Sequence, residues 1–229
     1  MFNSEKAFNK PYCAYITFTN TEMSFYGGGS LISSRHVLTN AANIVGFPSW
    51  SIGLGSNLRS DQKIYRSDSG RPHPQYLEQN SMRNFDIGII TLNQFVTFSS
   101  SIYPIALPTM DALLNENTQG MVLGFAKAVS TGGSAGEELQ VAHVRVTSNA
   151  RCLEFYSGAD FGQHFCGEDK DFRSNFCLGD QGGSFTILNR GNEVLMGISS
   201  LPSCSATQPS VYTRISSTLR QWIRDETQL

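Results

Sequence analysis

The residues most able to do chemistry together lie in one short stretch, Cys177-Leu178-Gly179-Asp180-Gln181-Gly182-Gly183-Ser184. Gln181 sets the limit on that chemistry. Its amide nitrogen is not deprotonated near neutral pH, so it cannot attack a carbonyl and carry an acyl intermediate as a serine or cysteine would. The imidazoles that could serve as a base or a metal ligand are His36, His73, His143 and His164. They are scattered without ligand spacing, so they read as surface or hydrogen-bonded histidines, and no metal site is expected. The five cysteines are Cys13, Cys152, Cys166, Cys177 and Cys204. An odd number leaves at least one thiol unpaired or bridged to another molecule.

A loop of this kind needs a rigid frame, and the sequence supplies one made of strands. Short runs rich in Val, Ile, Thr and aromatics fall at 13–19, 30–32, 37–39, 51–54, 87–92, 121–123, 141–146, 184–188, 194–199 and 211–214. Gly, Ser, Asn and Pro clusters separate them, which is the signature of an antiparallel barrel or sandwich. Only the end reads as helix. There Ser216 and Ser217 can cap, and Leu219, Trp222 and Ile223 share a face at spacings of three and four. Residues 130–136, Ser-Thr-Gly-Gly-Ser-Ala-Gly, read as the most flexible segment.

At 229 residues the chain is expected to be one all-β domain spanning 1–229, with no linker that would cut it. Hydrophobic residues at 40% can build a core, and charged residues at 16% argue against disorder. A net charge of −2 and the lack of any Lys or Arg run leave no electrostatic footprint for nucleic acid or an anionic membrane. No apolar stretch approaches the roughly 20 residues that span a bilayer. The first residues do not form a signal peptide, so any leader is expected to lie outside this sequence.

Residues 177–184 resemble the nucleophile loop of the trypsin-like serine proteases, Cys-x-Gly-Asp-Ser-Gly-Gly-Pro, with Gln181 in place of the serine. Four further motifs occur in the family's order: Gly28-Gly29-Ser30-Leu31-Ile32 leading to Val37-Leu38-Thr39, then Phe85-Asp86-Ile87-Gly88-Ile89-Ile90-Thr91-Leu92, then Gly124-Phe125-Ala126, then Pro209-Ser210-Val211-Tyr212-Thr213-Arg214. The resemblance covers nearly the whole chain. It implies two antiparallel six-stranded β-barrels, a boundary near 105–120, a cleft between them and a C-terminal α-helix. It also makes 130–136 a variable surface loop that proteases nick easily.

The same resemblance assigns the site. The histidine position falls on Ala42, or on Asn43 if one residue is inserted, and neither is a general base. Asp86 is the triad member retained, expected to be buried and bonded to backbone N–H groups and the Ser200 hydroxyl. Gly179 and Asp180 keep the oxyanion loop. Asn175, Phe176 and Ser210, with Leu201 and Pro202 on the strand that would pair with substrate, are expected to occlude the specificity pocket. Disulfides are implied at Cys152–Cys166 and Cys177–Cys204, leaving Cys13 as a buried thiol, and these bridges point to secretion. Asp180 has two open arrangements: paired with the Met1 amine, or bonded to polar side chains and backbone N–H groups in a zymogen-like state.

The function expected on this footing is that of a serine protease homologue, of arthropod phrasing, which is not an enzyme and uses no cofactor. It would act as a monomer by binding a protein partner: a protease, a zymogen, an inhibitor or a receptor. Displaced hydrolysis, for instance through Ser184, and an inactivated variant of a working protease are the alternatives.

Overall fold

The computed structural model describes residue 1 and residues 4–20, 23–76, 81–126, 135–169, 171, 174–205 and 207–229. After a two-residue strand β1 (Glu5–Lys6), the first sheet is built from β2 (Cys13–Thr19), β3 (Ser24–Leu31), β4 (His36–Thr39), β5 (Ser49–Leu54), β6 (Lys63–Ser67), β7 (Ser69–Pro72) and β8 (Gly88–Thr91). Its order is β6-β5-β2-β3-β4-β8-β7. Only Asp68 separates β6 from β7, so one stretch of chain pairs with β5 at one end and β8 at the other. Counted that way, the first sheet is a closed six-stranded barrel. The central strand β2 pairs on both sides, and its residues Cys13 to Thr19 are mostly buried, as expected for a run of aromatic and branched side chains inside a sheet.

The second sheet contains β9 (Gln119–Ala126), β10 (Ala135–Val146), β11 (His164–Glu168), β12 (Ser184–Asn189), β13 (Asn192–Leu201) and β14 (Ser210–Arg214), with β1 added outside β10. Pairing of β9 with both β10 and β12 closes this ring too. Every pairing in both sheets is antiparallel. Residues 130–134 of the loop expected to be nick-prone lie outside the described residues, and Ala135 and Gly136 open β10.

Among the described residues, two α-helices complete the fold. The short α1 (Asn149–Leu153) was not anticipated, although Ser148 caps it by accepting from the Arg151 N–H. The C-terminal α2 (Ser217–Thr227) is capped by Ser216 and ends at Gln228, whose φ is 62°. Leu219, Ile223 and Thr227 form its buried face. The helix reaches back to the first barrel, where Trp222 meets His73 edge-on at 4.9 Å and Glu226 pairs with Arg71 at 2.5 Å.

Cys152–Cys166 and Cys177–Cys204 are disulfide-bonded, and Cys13 is a buried free thiol. Burial pushes the Cys13 thiol up to about 12, with the Asp180 carboxylate adding to the shift. A thiol this protonated and shielded is a poor nucleophile. Thiol titration should therefore find no reactive cysteine in the native protein at pH 8 and one after unfolding without reductant. A disulfide-linked dimer on a non-reducing gel would contradict the assignment.

The histidines divide by environment. His143 lies at the surface, with Nε2 2.9 Å from Glu5 Oε1. His36 Nδ1 lies 2.9 Å from Ser33 Oγ, and His73 stacks on Phe85 at 4.7 Å. His164 is fully buried, and burial lowers its pKa against the smaller opposing effects of the Arg83 backbone and the Asp160 and Asp86 carboxylates. Its unfolded pKa is about 6.5. Since the folded value is lower, the unfolded chain binds more protons in between. His164 therefore stabilises the fold fully above about pH 6.5, and that contribution is lost as pH falls toward the folded value. Denaturant unfolding at pH 7 and pH 5 should show a drop in stability that His164→Gln reduces.

Candidate functional site

The site forms where the loop between β11 and β12 meets the first barrel. Asp180 is its anchor and is fully buried. One carboxylate oxygen accepts from the Ala126 N–H at 2.8 Å, and the other accepts from the Cys177 N–H at 3.0 Å. The Met1 amino nitrogen lies 3.2 Å from Oδ2 and also donates to the Ala126 carbonyl. Of the two arrangements open from the sequence, the structure has the first: the Met1 amine pairs with the carboxylate, with backbone N–H groups completing its shell, and the zymogen-like state without that pair is not the one present. Burial pushes the Asp180 carboxyl up from the ordinary range, while the Met1 ammonium and those N–H groups pull it back. Gly124 makes the approach possible, because a Cβ there would lie 1.9 Å from Asp180 Oδ1.

With Asp180 fixed, the chain turns through Gly179 at φ 95°. A side chain at this glycine would be strained and would collide with the Tyr26 ring at 2.2 Å. The Gly179 N–H points at Gln181, whose own side-chain Oε1 accepts it at 2.6 Å. Position 181 thus holds an amide that is already engaged.

Asp86 is the second buried carboxylate. It accepts from the Ser200 hydroxyl at 2.6 Å, the Ala42 N–H at 3.0 Å and the Asn40 amide at 3.3 Å. Burial raises its pKa, and these bonds together with the Arg83 charge oppose the rise. The structure also places the two candidates for the base position. Ala42 binds Asp86 through its backbone and lines the groove between the barrels. Asn43 turns inward, with Nδ2 3.1 Å from both Thr39 Oγ1 and the Gln181 carbonyl. It fills the space over Gly27, where a Cβ would lie 2.4 Å from Nδ2. Gly27 and Asn43 thus pack against each other, and both Ala42 and Asn43 reach the groove wall.

The five pocket residues separate into three groups. Asn175 and Ser210 are buried in a polar knot: Asn175 Nδ2 donates to Ser203 Oγ at 2.7 Å and to the Gln208 carbonyl at 3.0 Å, and Ser210 Oγ donates to Asn175 Oδ1 at 2.5 Å. Phe176 does not stand in an open hole. Its ring is fully buried in the second barrel's core, 5.2 Å from Tyr212. Leu201 and Pro202 are half-buried and line a neighbouring cavity with Met82, Phe155 and Tyr156. Ser184 is 1% exposed in β12 and does not line the groove.

The groove itself has a volume of about 660 Å³ and is walled by Phe18, Phe25, Tyr26, Phe47 and Leu178 around Ala42, Asn43, Gln181 and Arg83. Phe18, Phe25 and Phe47 form one aromatic cluster, with centroids 4.6 to 5.9 Å apart. Sequence reasoning passed over these rings and Arg83. The available signal was the position of Arg83 three residues before Asp86. Among the described residues no cluster of His, Cys, Asp or Glu could hold a metal ion.

The chain matches the trypsin family over residues 3–223. It belongs to that family. It is similar to Trypsin 5G1 of Aedes aegypti, 29% identical over 92% of this chain and 78% of the relative. It is also similar to Cathepsin G of Homo sapiens, 30% identical over 94% of this chain and 82% of the relative. Among solved structures, that of HL collagenase superposes with a TM-score of 0.88 at 26% identity, covering 100% of this chain and 99% of the other. The similarity extends to an insect and a human protein alike, so the wording of residues 30–39 does not fix an arthropod source.

These relatives correct the expectation that the chain is not an enzyme. That expectation rested on the side chains at Ala42 and Gln181, whereas the family and relatives named trypsin and collagenase are proteases. There is a physical reason why two side chains do not settle enzyme status. In serine proteases the oxyanion donors and substrate binding alone sustain a residual 10³- to 10⁴-fold catalysis over water when a triad member is removed. Here the loop carrying the Gly179 donor is fully assembled around Asp180.

The Met1–Asp180 pair can be tested directly in a chain beginning at Met1. Acetylation of the amine would leave the buried carboxylate without its cation, and breaking such a pair costs roughly 3–5 kcal/mol. For a protein of this size that lowers the melting temperature by roughly 6–20 °C at pH 7. The loss should shrink toward acid pH, where the carboxyl is neutral in either form. An unchanged melting curve would rule out a stabilising pair.

Proposed function

We propose that this trypsin-family chain is an extracellular protein that works by engaging an extended segment of a protein partner in the groove between its barrels. The partner classes are a protease, a zymogen, an inhibitor or a receptor, and the role is that of cofactor, decoy or regulator in an extracellular protease cascade or immune response. The observation that carries this reading is the aromatic groove beside Gln181, where Phe25 and Leu178 are 37% and 40% exposed. Exposed apolar side chains grouped beside polar backbone are costly in water and suit a protein-binding surface. Secretion is supported by the two disulfides, which persist in oxidising compartments. Among the described residues no helix is long and apolar enough to cross a membrane.

A second reading, hydrolysis of the bound segment, is favoured by the relatives named trypsin and collagenase. One set of measurements separates the two. Surface plasmon resonance against trypsin-family proteases, their zymogens and Kunitz-type inhibitors should find a partner whose affinity falls at least tenfold, about 1.4 kcal/mol, in Phe25→Glu. Equal affinity in that variant would move the interaction elsewhere. New amino termini released from casein in proportion to the amount of this protein would favour the second reading.

A further inference from the structure

Charge in the groove is one-sided. Among the described residues that line it, Arg83 alone is charged and none is acidic. Arg83 enters none of the ion pairs among the described residues. Its one hydrogen-bond contact runs from Nη1 to the Ser200 carbonyl at 3.5 Å, the outer limit for such a bond, so most of the guanidinium fork has no acceptor from the chain. The Asp86 carboxylate does not use it directly, since it already holds the Ser200 hydroxyl, the Ala42 N–H and the Asn40 amide. A second group is also left open. Asn40 lines the groove and is fully buried; its Nδ2 donates to Asp86, which fixes the direction of the amide, and its Oδ1 has no donor among the described residues. The turn that presents Arg83 is held from outside the groove. Its φ is 50° and that of Phe85 is 58°, values that persist where the surroundings impose them. Phe85 stacks on His73 at 4.7 Å, and its N–H donates to Gln163 Oε1 at 3.0 Å.

We infer that Arg83 selects what the groove takes: a partner segment in which an aspartate or glutamate neighbours a large apolar residue, with the carboxylate on Arg83 and the apolar side chain against Phe25 and Phe47. This rests on the groove-binding reading above and specifies the chemistry of its occupant. The physical reason is desolvation. A segment that covers the groove strips water from Arg83, and a guanidinium taken out of water without a counter-charge is costly. A carboxylate offsets that loss with a bidentate, charge-assisted pair. A neutral amide offsets it only in part, and a lysine adds repulsion. Asn40 Oδ1 asks in the same way for an N–H of the segment. The apolar half follows from the opposite wall, where Phe18, Phe25 and Phe47 pack on one another and Phe25 stays 37% exposed. A large side chain laid there removes apolar surface from water. Because the Arg83 turn is pinned by His73 and Gln163, little further ordering opposes binding.

Fluorescence polarisation with labelled peptides tests the selection. The probes are Ser-Gly-Phe-X-Gly-Ser and Ser-Gly-X-Phe-Gly-Ser, with X as Asp, Glu, Asn or Lys. In at least one of the two orders, the Asp or Glu peptide should bind the unsubstituted chain at least tenfold more tightly than its Asn counterpart, and the Lys peptide should bind most weakly. Arg83→Gln should bring the acidic and Asn peptides within about twofold of one another, while Arg83→Lys, which keeps the charge, should retain the preference. Equal affinity for acidic and Asn peptides, no binding by any peptide, or an acidic preference that survives Arg83→Gln would each overturn the inference. A preference lost in Arg83→Lys as well would assign it to the shape of the turn and overturn the role of the charge. Groove binding fails separately, through the Phe25→Glu comparison with protein partners.

Discussion

The cleft depends on the buried Asp180 carboxylate. It ties together parts of the chain that have no other reason to meet: the Met1 amine, the end of β9 at Ala126 and the start of the turn at Cys177. A carboxylate taken out of water is costly unless charge and donors replace its hydration. The geometry of residues 177–181 is the arrangement that supplies them. The left-handed Gly179, the inward N–H and the position of Gln181 follow from that requirement. The Cys177–Cys204 bridge then joins this turn to the segment carrying the Asn175–Ser203–Ser210 knot.

Asp86 plays the corresponding part for the first barrel. Its three donors come from the 3₁₀ turn after β4, the residue that precedes that turn, and the end of β13, so one carboxylate holds both barrels at the groove. Together the two aspartates fix the backbone of the groove floor beneath Gln181 and Arg83. The frame of the cleft is set by these two carboxylates, with Ala42 and Gln181 between them. Family membership, with relatives named as proteases, therefore sits beside an amide at position 181 without contradiction: the fold fixes the donors, and the side chains decide how they are used.

Buried polar side chains also hold the cleft's surroundings together. Asn43 fills the space over Gly27 with a hydrogen-bonded amide. Asn175 satisfies its amide with Ser203 and Gln208. In each case a buried polar group finds partners within the chain, which is the condition for burying it at little cost.

The sequence by itself determined the fold class and most of the strands, and its resemblance to the trypsin family implied both disulfides. Alternating turn residues and β-branched runs are local signals, and the motifs around Asp86, Gly179 and Tyr212 fixed the order of the barrels. It could not locate β1, β6, β7 and β11: β1 has two residues, the break at Asp68 hides a closing strand, and His164–Glu168 includes a glycine and a mixed pattern. Nor could it decide between Ala42 and Asn43, because the placement of the Asn43 amide depends on Gly27, sixteen residues earlier, leaving room for it. The direction of the Phe176 ring was set by Tyr212, far along the chain, and the engagement of Gln181 by a turn that Asp180 imposes. Tertiary structure alone decided these points, because where a side chain goes is settled by the space and the unsatisfied hydrogen-bonding groups that distant segments bring to it.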